Sequence, residues 1–161
     1  MQRSDVWNLS WRTDPQVRAL ADRHYNRQKV GAAGFVPPGR CLVLKTDNVD
    51  AFWVTSWPFA EYTKHAWAGA WVCSAFRNES HALSSDLIRE AIAITRWKYP
   101  IPDLGMITFV NPDKVRRKRD FGRCYRKAGF VEVGMTKGGL IALQLTPDLM
   151  PDPKLPKGVL L

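Results

Sequence analysis

The sequence predicts an α/β fold: a mixed sheet with helices on both faces. Three observations carry this expectation. Short apolar or alternating runs recur along the chain, at 41–45, 51–56, 71–76, 105–110, 130–133 and 140–145. Two longer segments, 84–98 and 120–128, place apolar residues at helical spacing, and a third begins at Asp14-Pro15. Strands and helices interleave, in the order helix, strand, strand, strand, helix, strand, helix, strand, strand, which layers helices over a sheet.

Each element has a local reason. Asp14 followed by Pro15 is a helix start: a capping carboxylate, then a residue whose missing N–H costs nothing there. Val17, Leu20 and Ala21 follow on one face, with His24 beside them. "VGAAGFVPPGR" is a loop by its Gly and Pro content. Cys41–Lys45 and Ala51–Ser56 read as a hairpin turned by "TDN". Ser84 or Ser85 is expected to cap the next helix, and Asp86 favours its positive end. Leu87, Ile88, Ala91, Ile92 and Thr95 form its inner stripe. Phe121, Cys124, Tyr125 and Ala128 line one face of the last helix, which Gly129 ends. The prolines from Pro147 to Pro156 suggest a tail that leaves the fold, so the expected organisation is one domain over 1–146 and a Pro-rich tail over 147–161.

Composition narrows the class. The chain has 161 residues, enough for one core. With 45% hydrophobic and 24% charged residues it is expected to fold rather than remain disordered. No apolar run approaches the ~20 residues of a membrane span. The opening "MQRSDVWNLSWR" has no apolar block of a signal peptide, so a cytoplasmic protein is expected. Three cysteines without a C-x-x-C pair argue against a disulfide framework and a four-cysteine metal site. The net charge is +9, and the stretch from Pro112 to Lys127 holds eight cations against two aspartates. Such a cluster attracts a polyanion, most directly nucleic acid, although it also suits a solvated helix face or a polyphosphate cofactor.

"CYRKAGF" together with this element order resembles the GNAT N-acetyltransferases, in which a Tyr-x-x-x-Gly-Phe-like helix end precedes the sixth strand. Tyr125, Gly129 and Phe130 match it. The resemblance implies a GNAT-like splayed sheet, with the strands at Trp71–Phe76 and Gly105–Val110 parallel and parting around a ligand cleft. It also implies that Tyr125 protonates a departing thiolate, for which a phenol of pKa ~10 is competent. The glycine-rich pyrophosphate loop of that family is replaced here by "FRNESHALSS", which has no glycine; Ser84 and Ser85 are what remains to meet an anion at the helix start.

"RHYNRQ", "FRNES" and "RCYRKAGF" in this order resemble the Mom-type DNA modification proteins of bacteriophages, GNAT-related proteins with a degraded cofactor loop. The resemblance spans about residues 15–145. It implies conversion of adenine in double-stranded DNA to an N6-carbamoylmethyl form, an anti-restriction activity in the cytoplasm of the bacterial host. Its functional positions fall on His24, Tyr25, Arg77 and Tyr125. The cofactors it implies are acetyl-CoA or another acyl donor, with iron as a further candidate; which residues would hold a metal is unknown from the sequence, because His24, His65 and His81 show no ligand spacing.

Each residue has a structural alternative. His24 lies on an apolar helix face, where a hydrogen-bonded core histidine is common; as a site residue it would orient or deprotonate an amine. Arg77 would clamp a phosphate or stabilise an oxyanion, or else pair with Glu79 or Asp86; Glu79 is itself an alternative base. Trp57 and Trp67 flank "PFAEYTKHA", a loop suited to stacking on an extruded base or simply packed on the domain. The DNA contacts expected are Arg27, Trp57, Lys64, His65 and the run Lys114, Arg116, Arg117, Lys118 and Arg119. Tyr125, Arg77 and His24 are expected to line one pocket. The rival expectations are an acyl-CoA-dependent N-acyltransferase of an amine or protein, and a non-catalytic DNA-binding protein. The oligomer expected is a monomer or a homodimer.

Overall fold

The computed structural model describes residues 1–23, 36, 37, 39–112 and 122–159. The fold is α/β, built on one eight-stranded mixed sheet. The strands are β1 (Gln2–Leu9), β2 (Arg40–Lys45), β3 (Ala51–Trp57), β4 (Trp71–Asn78), β5 (Met106–Val110), β6 (Val131–Met135), β7 (Ile141–Leu145) and β8 (Lys154–Lys157). The helices are α1 (Pro15–Asp22), α2 (Ser84–Lys98) and the short α3 (Arg123–Lys127). The strand order is β6-β7-β5-β4-β3-β2-β1-β8.

Side chains alternate across β2 and β3, so each strand feeds two clusters. Leu42, Leu44 and Trp53 join Leu87, Ile88, Ala91 and Ile92 of α2 in the larger core. Val43, Phe52 and Val54 instead meet Val17, Leu20 and Ala21 of α1. A third, smaller cluster of Ala70, Ile107 and Ala142 lies under Trp67 and Phe109. Each fully buried Leu, Ile or Phe contributes about 1.5–3 kcal/mol, so these clusters carry most of the stabilisation.

Asp14 caps α1 as the sequence led us to expect, its Oδ1 accepting from the Gln16 N–H at 3.0 Å. The cap of α2 differs. Leu83 occupies the cap position, without a side-chain cap bond, and Ser84 is already helical. The Ser84 hydroxyl is taken by Asn78, whose Nδ2 donates to it at 3.0 Å and to the Ala82 carbonyl at 2.8 Å.

Two strands lie where none was expected. β1 has no period-two signal because its pairing with β8 slips between Arg3 and Asn8. Its buried positions are Ser4 and Trp7, three apart, and the Ser4 hydroxyl accepts from the Val6 and Trp7 N–H groups at 3.3 Å each. The supposed tail also returns to the sheet. β8 pairs in parallel with β1, Gln2 opposite Lys154 and Arg3 opposite Leu155. Burial of Met150 and Leu155, a bond from Arg96 to the Pro151 carbonyl at 2.6 Å and an ion pair of Lys154 with Glu90 hold it there. β8 is an edge strand, where a proline such as Pro156 is tolerated.

Candidate active site

β4 and β5 are parallel neighbours, pairing Trp71 with Met106, Val72 with Ile107 and Cys73 with Thr108. There the pairing ends, although β4 continues to Asn78 and β5 to Val110. The parting has a local cause on each side. On its other edge β4 carries a bulge against β3: Val54 faces Ala75 and Thr55 faces Cys73, so Ser74 is extra and the strand bends. β5 meanwhile stays paired with β7 through Val110. The Thr108 hydroxyl donates to the Cys73 carbonyl at 3.1 Å, at the last paired step.

Tyr125 reaches this point from α3. Gly122 enters the helix at φ 65° and Gly129 leaves it at φ 112°, conformations that favour glycine. The Phe130 N–H donates back to the Tyr125 carbonyl at 3.0 Å. The Tyr125 ring is edge-on to Phe76 and Phe130, with centroids 6.3 and 5.5 Å away. Its hydroxyl lies 3.5 Å from Cys73 Sγ. Burial pushes the Cys73 thiol up to about 12, so it stays protonated at neutral pH. A protonated thiol and a phenol can exchange donor and acceptor roles, so either group can supply the proton of this contact.

Arg77 sits elsewhere. Cys73 and Phe76 belong to the α2-side core, whereas Ala75 packs with the α1-side cluster. By alternation Arg77 points to the α1 side, and its Nη1 donates to the Arg23 carbonyl, at the end of α1, at 2.9 Å. The expectation that Tyr125 and Arg77 line one pocket is therefore corrected: they flank the parting from opposite faces of β4. The bulge is the physical reason, because one extra residue resets which side chains face which way.

Arg77 pairs with Glu79 at 2.6 Å, and Glu79 also pairs with Arg23 at 2.8 Å. The Arg23 guanidinium, with Arg77 beside it, holds the Glu79 carboxyl down at about 2. Glu79 is thus a poor proton acceptor at neutral pH, which weighs against it as the alternative base. Ser84 is bonded to Asn78 and Ser85 is buried, so the two hydroxyls expected to meet a cofactor anion are placed among protein groups.

The aromatic loop is also redistributed. Trp57 packs against the larger core, donates to the Gly69 carbonyl at 3.0 Å and carries the Arg40 guanidinium 3.8 Å over its ring. A base cannot stack there without displacing Arg40. His65 packs against Phe109, 5.1 Å between centroids, and its Nδ1 accepts from the Trp67 N–H at 3.0 Å. Burial holds its imidazole below the usual histidine range. Lys64 is exposed. The exposed aromatics of this loop are Phe59 and Tyr62, 52% and 77% accessible, which sequence reasoning passed over in favour of the tryptophans. Only their flanking Pro58 and Glu61 hinted at exposure.

His24, Tyr25 and Arg27, and the run Lys114, Arg116, Arg117, Lys118 and Arg119, lie outside the described residues. Among the described residues, no group of three His, Cys, Asp or Glu side chains could hold a metal ion, and no helix is long and apolar enough to cross a membrane.

What fold and site define at this stage is an α/β protein with a parallel strand pair that parts beside a tyrosine hydroxyl. The chain matches no family model, no curated protein and no solved structure.

Proposed function

We propose that this chain is a GNAT-like transferase and that it modifies the N6 amino group of adenine in double-stranded DNA. The observation that carries the reading is the Tyr125 hydroxyl at the parting of β4 and β5, 3.5 Å from Cys73 Sγ. The strand order β6-β7-β5-β4-β3-β2-β1 and the packing of α1 and α2 on alternating side chains of β2 and β3 support the GNAT-like fold.

In this reading the parting of β4 and β5 serves as a slot through the sheet. A group donor entering on the Tyr125 side and an acceptor amine entering on the α1 side would meet in it. As the bond from the transferred group to N6 forms and its bond to the leaving group breaks, the leaving group takes the phenolic proton, and the proton that N6 gives up passes through solvent to restore the Tyr125 phenol. Arg77 flanks the acceptor side as a fixed cation, and His24 and Tyr25 follow Arg23 directly in the chain. The net charge of +9 supports a polyanionic substrate. Adenine N6 is a weak nucleophile, so positioning by such a slot is the larger part of the acceleration required.

The test is mass spectrometry of nucleosides from plasmid DNA co-expressed with this protein. A carbamoylmethyl-type mass increment on deoxyadenosine is the expected result. Unmodified deoxyadenosine alongside acylation of a free amine by acetyl-CoA would replace this reading with an ordinary acyltransferase. DNA binding without any modified nucleoside would replace it with a binding protein.

A further inference from the structure

We propose that the rim of the sheet around Cys41 is a docking surface for the phosphate backbone of DNA. The proposal rests on the reading of the chain as a DNA-acting protein.

Three cations converge on this rim from three elements. Arg12, between β1 and α1, donates through Nη2 to the Gly39 carbonyl and to Cys41 Sγ. Lys98, the last residue of α2, donates to the Cys41 carbonyl at 3.3 Å. Arg40 opens β2 and donates through Nε to the Trp57 carbonyl at 3.1 Å. Tyr99 ties the three together: its hydroxyl donates to the same Cys41 carbonyl at 3.1 Å, and its ring meets Trp57 at 5.4 Å.

Their partners set them apart from most other engaged cations of the surface. Arg23, Lys45, Arg77, Arg126, Lys154 and Lys157 each pair with a carboxylate. Among the described residues, no carboxylate pairs with Arg12, Arg40 or Lys98. Each is oriented by a neutral carbonyl and keeps its full charge for an outside anion. Arg40 is further immobilised, its guanidinium 3.8 Å from the Trp57 ring and 4.7 Å from that of the half-exposed Phe59. A guanidinium held against two rings has already lost much of the freedom that phosphate binding would otherwise cost. Among the described residues, a Cβ built on Gly39 would meet nothing within 4 Å.

The occupant is a phosphodiester backbone rather than a single small anion. Three charges gathered at Gly39–Cys41 lie at the opposite end of β3 from Arg77. Trp57 is five residues from Phe52, which pairs with Arg77, a separation of roughly 17 Å along the strand. That distance is about five base-pair steps of duplex DNA. A duplex spanning that distance would touch both the rim and the Arg77 side of the parting.

The experiment is a salt titration of duplex binding by fluorescence anisotropy with the full chain. It compares the parent protein with the triple variant Arg12→Gln, Arg40→Gln, Lys98→Gln. A control, Arg3→Gln, Lys137→Gln, Lys157→Gln, removes the same charge from surface positions elsewhere. The rim variant should bind at least about tenfold more weakly at low salt, with the slope of log K against log salt flattened by up to ~2.7, while the control stays near the parent. Equal losses in both variants would reduce the effect to net charge and overturn the surface. The pair Arg12→Lys, Arg40→Lys keeps the charge and should retain affinity within a few-fold; a loss as large as that of the glutamine variant would point to a folding defect and also overturn it. Unchanged affinity in the rim variant, with adenine still modified, would sink this surface and leave the proposed function standing. Binding that depends on the rim, without any modified adenine, would do the reverse.

Discussion

The Tyr125 hydroxyl and Cys73 Sγ stand 3.5 Å apart at the last step at which β4 and β5 are paired. The contact joins a short helix that ends at Gly129 to the strand that bends away from its parallel neighbour. It places the phenolic hydroxyl where the parallel strands β4 and β5 part.

Tyr125→Phe tests that proton directly. The ring remains edge-on to Phe76 and Phe130, so the packing that holds α3 is kept. Under the proposed function, modification of adenine should fall by ~10²–10⁴-fold, the range of a positioned general acid. Duplex affinity should stay within about twofold, since a contact made only in the transition state adds little to ground-state binding. Nucleoside mass spectrometry and anisotropy on the same preparation check both. Full modification by this variant would leave Tyr125 a packing residue.

Glu79 gives a pH signature. Its carboxyl is held down at about 2 by Arg23 and Arg77. A depressed carboxylate favours the folded state above its unfolded pKa, and this advantage is lost as pH falls towards the folded value. The melting temperatures of the parent and Glu79→Gln should therefore differ by a constant amount above about pH 5 and converge as pH drops from about 4.5 towards 2. A gap that persists at pH 2.5 would mean that Glu79 acts through something other than its charge. The pair is partly exposed, so the gap should also shrink in high salt.

Asp14 joins a helix cap to an ion pair. It is buried, and besides the Gln16 N–H it accepts from the Ser10 hydroxyl and from Lys45 Nζ, both at 2.7 Å. Burial alone would raise its pKa, but the bonds from Lys45, Ser10 and Gln16 outweigh it and hold the carboxyl below the usual range. Asp14→Ala removes the cap and leaves Lys45 only its bond to Gln16 Oε1, and should cost about 2–4 kcal/mol in a urea titration. Asp14→Asn keeps a capping oxygen and should cost less. Equal losses would assign the whole effect to the charge.

Much of this architecture is legible in the sequence because its signals are local. The Asp14-Pro15 start, the α2 stripe from Leu87 to Thr95 and the Gly129 stop each depend on residues within one or two turns of each other. β1 and β8 were hidden because their evidence is nonlocal: Gln2 and Arg3 pair with Lys154 and Leu155 from the far end of the chain, and Pro156 is compatible with a strand only at an edge. The bulge at Ser74 is likewise silent in sequence, yet it decides that Tyr125 and Arg77 look out on opposite faces. Trp57 and Phe59 show the same limit. Composition marks an aromatic loop, but only the fold determines which ring is taken by Arg40 and the core and which remains half exposed.

Cys73 itself supplies the last test, because nothing in its sequence context marks it as more than a core residue. It is buried, its thiol is neutral, and the Ala75 carbonyl lies 3.9 Å from its sulfur across the bulge. If it acts as a positioning residue for Tyr125, Cys73→Ala should lower kcat for adenine modification by about tenfold and leave KM nearly unchanged, because one weak orienting hydrogen bond is lost and no substrate contact is touched. The small void should cost only about 1 kcal/mol of stability. Cys73→Ser restores a hydroxyl able to donate and accept, and should recover most of the rate despite its shorter reach. A purely structural Cys73 would give the opposite order, with Ala tolerated and Ser penalised for burying a more polar group in an apolar site. The ranking of the two variants, in rate and in melting temperature, separates the roles.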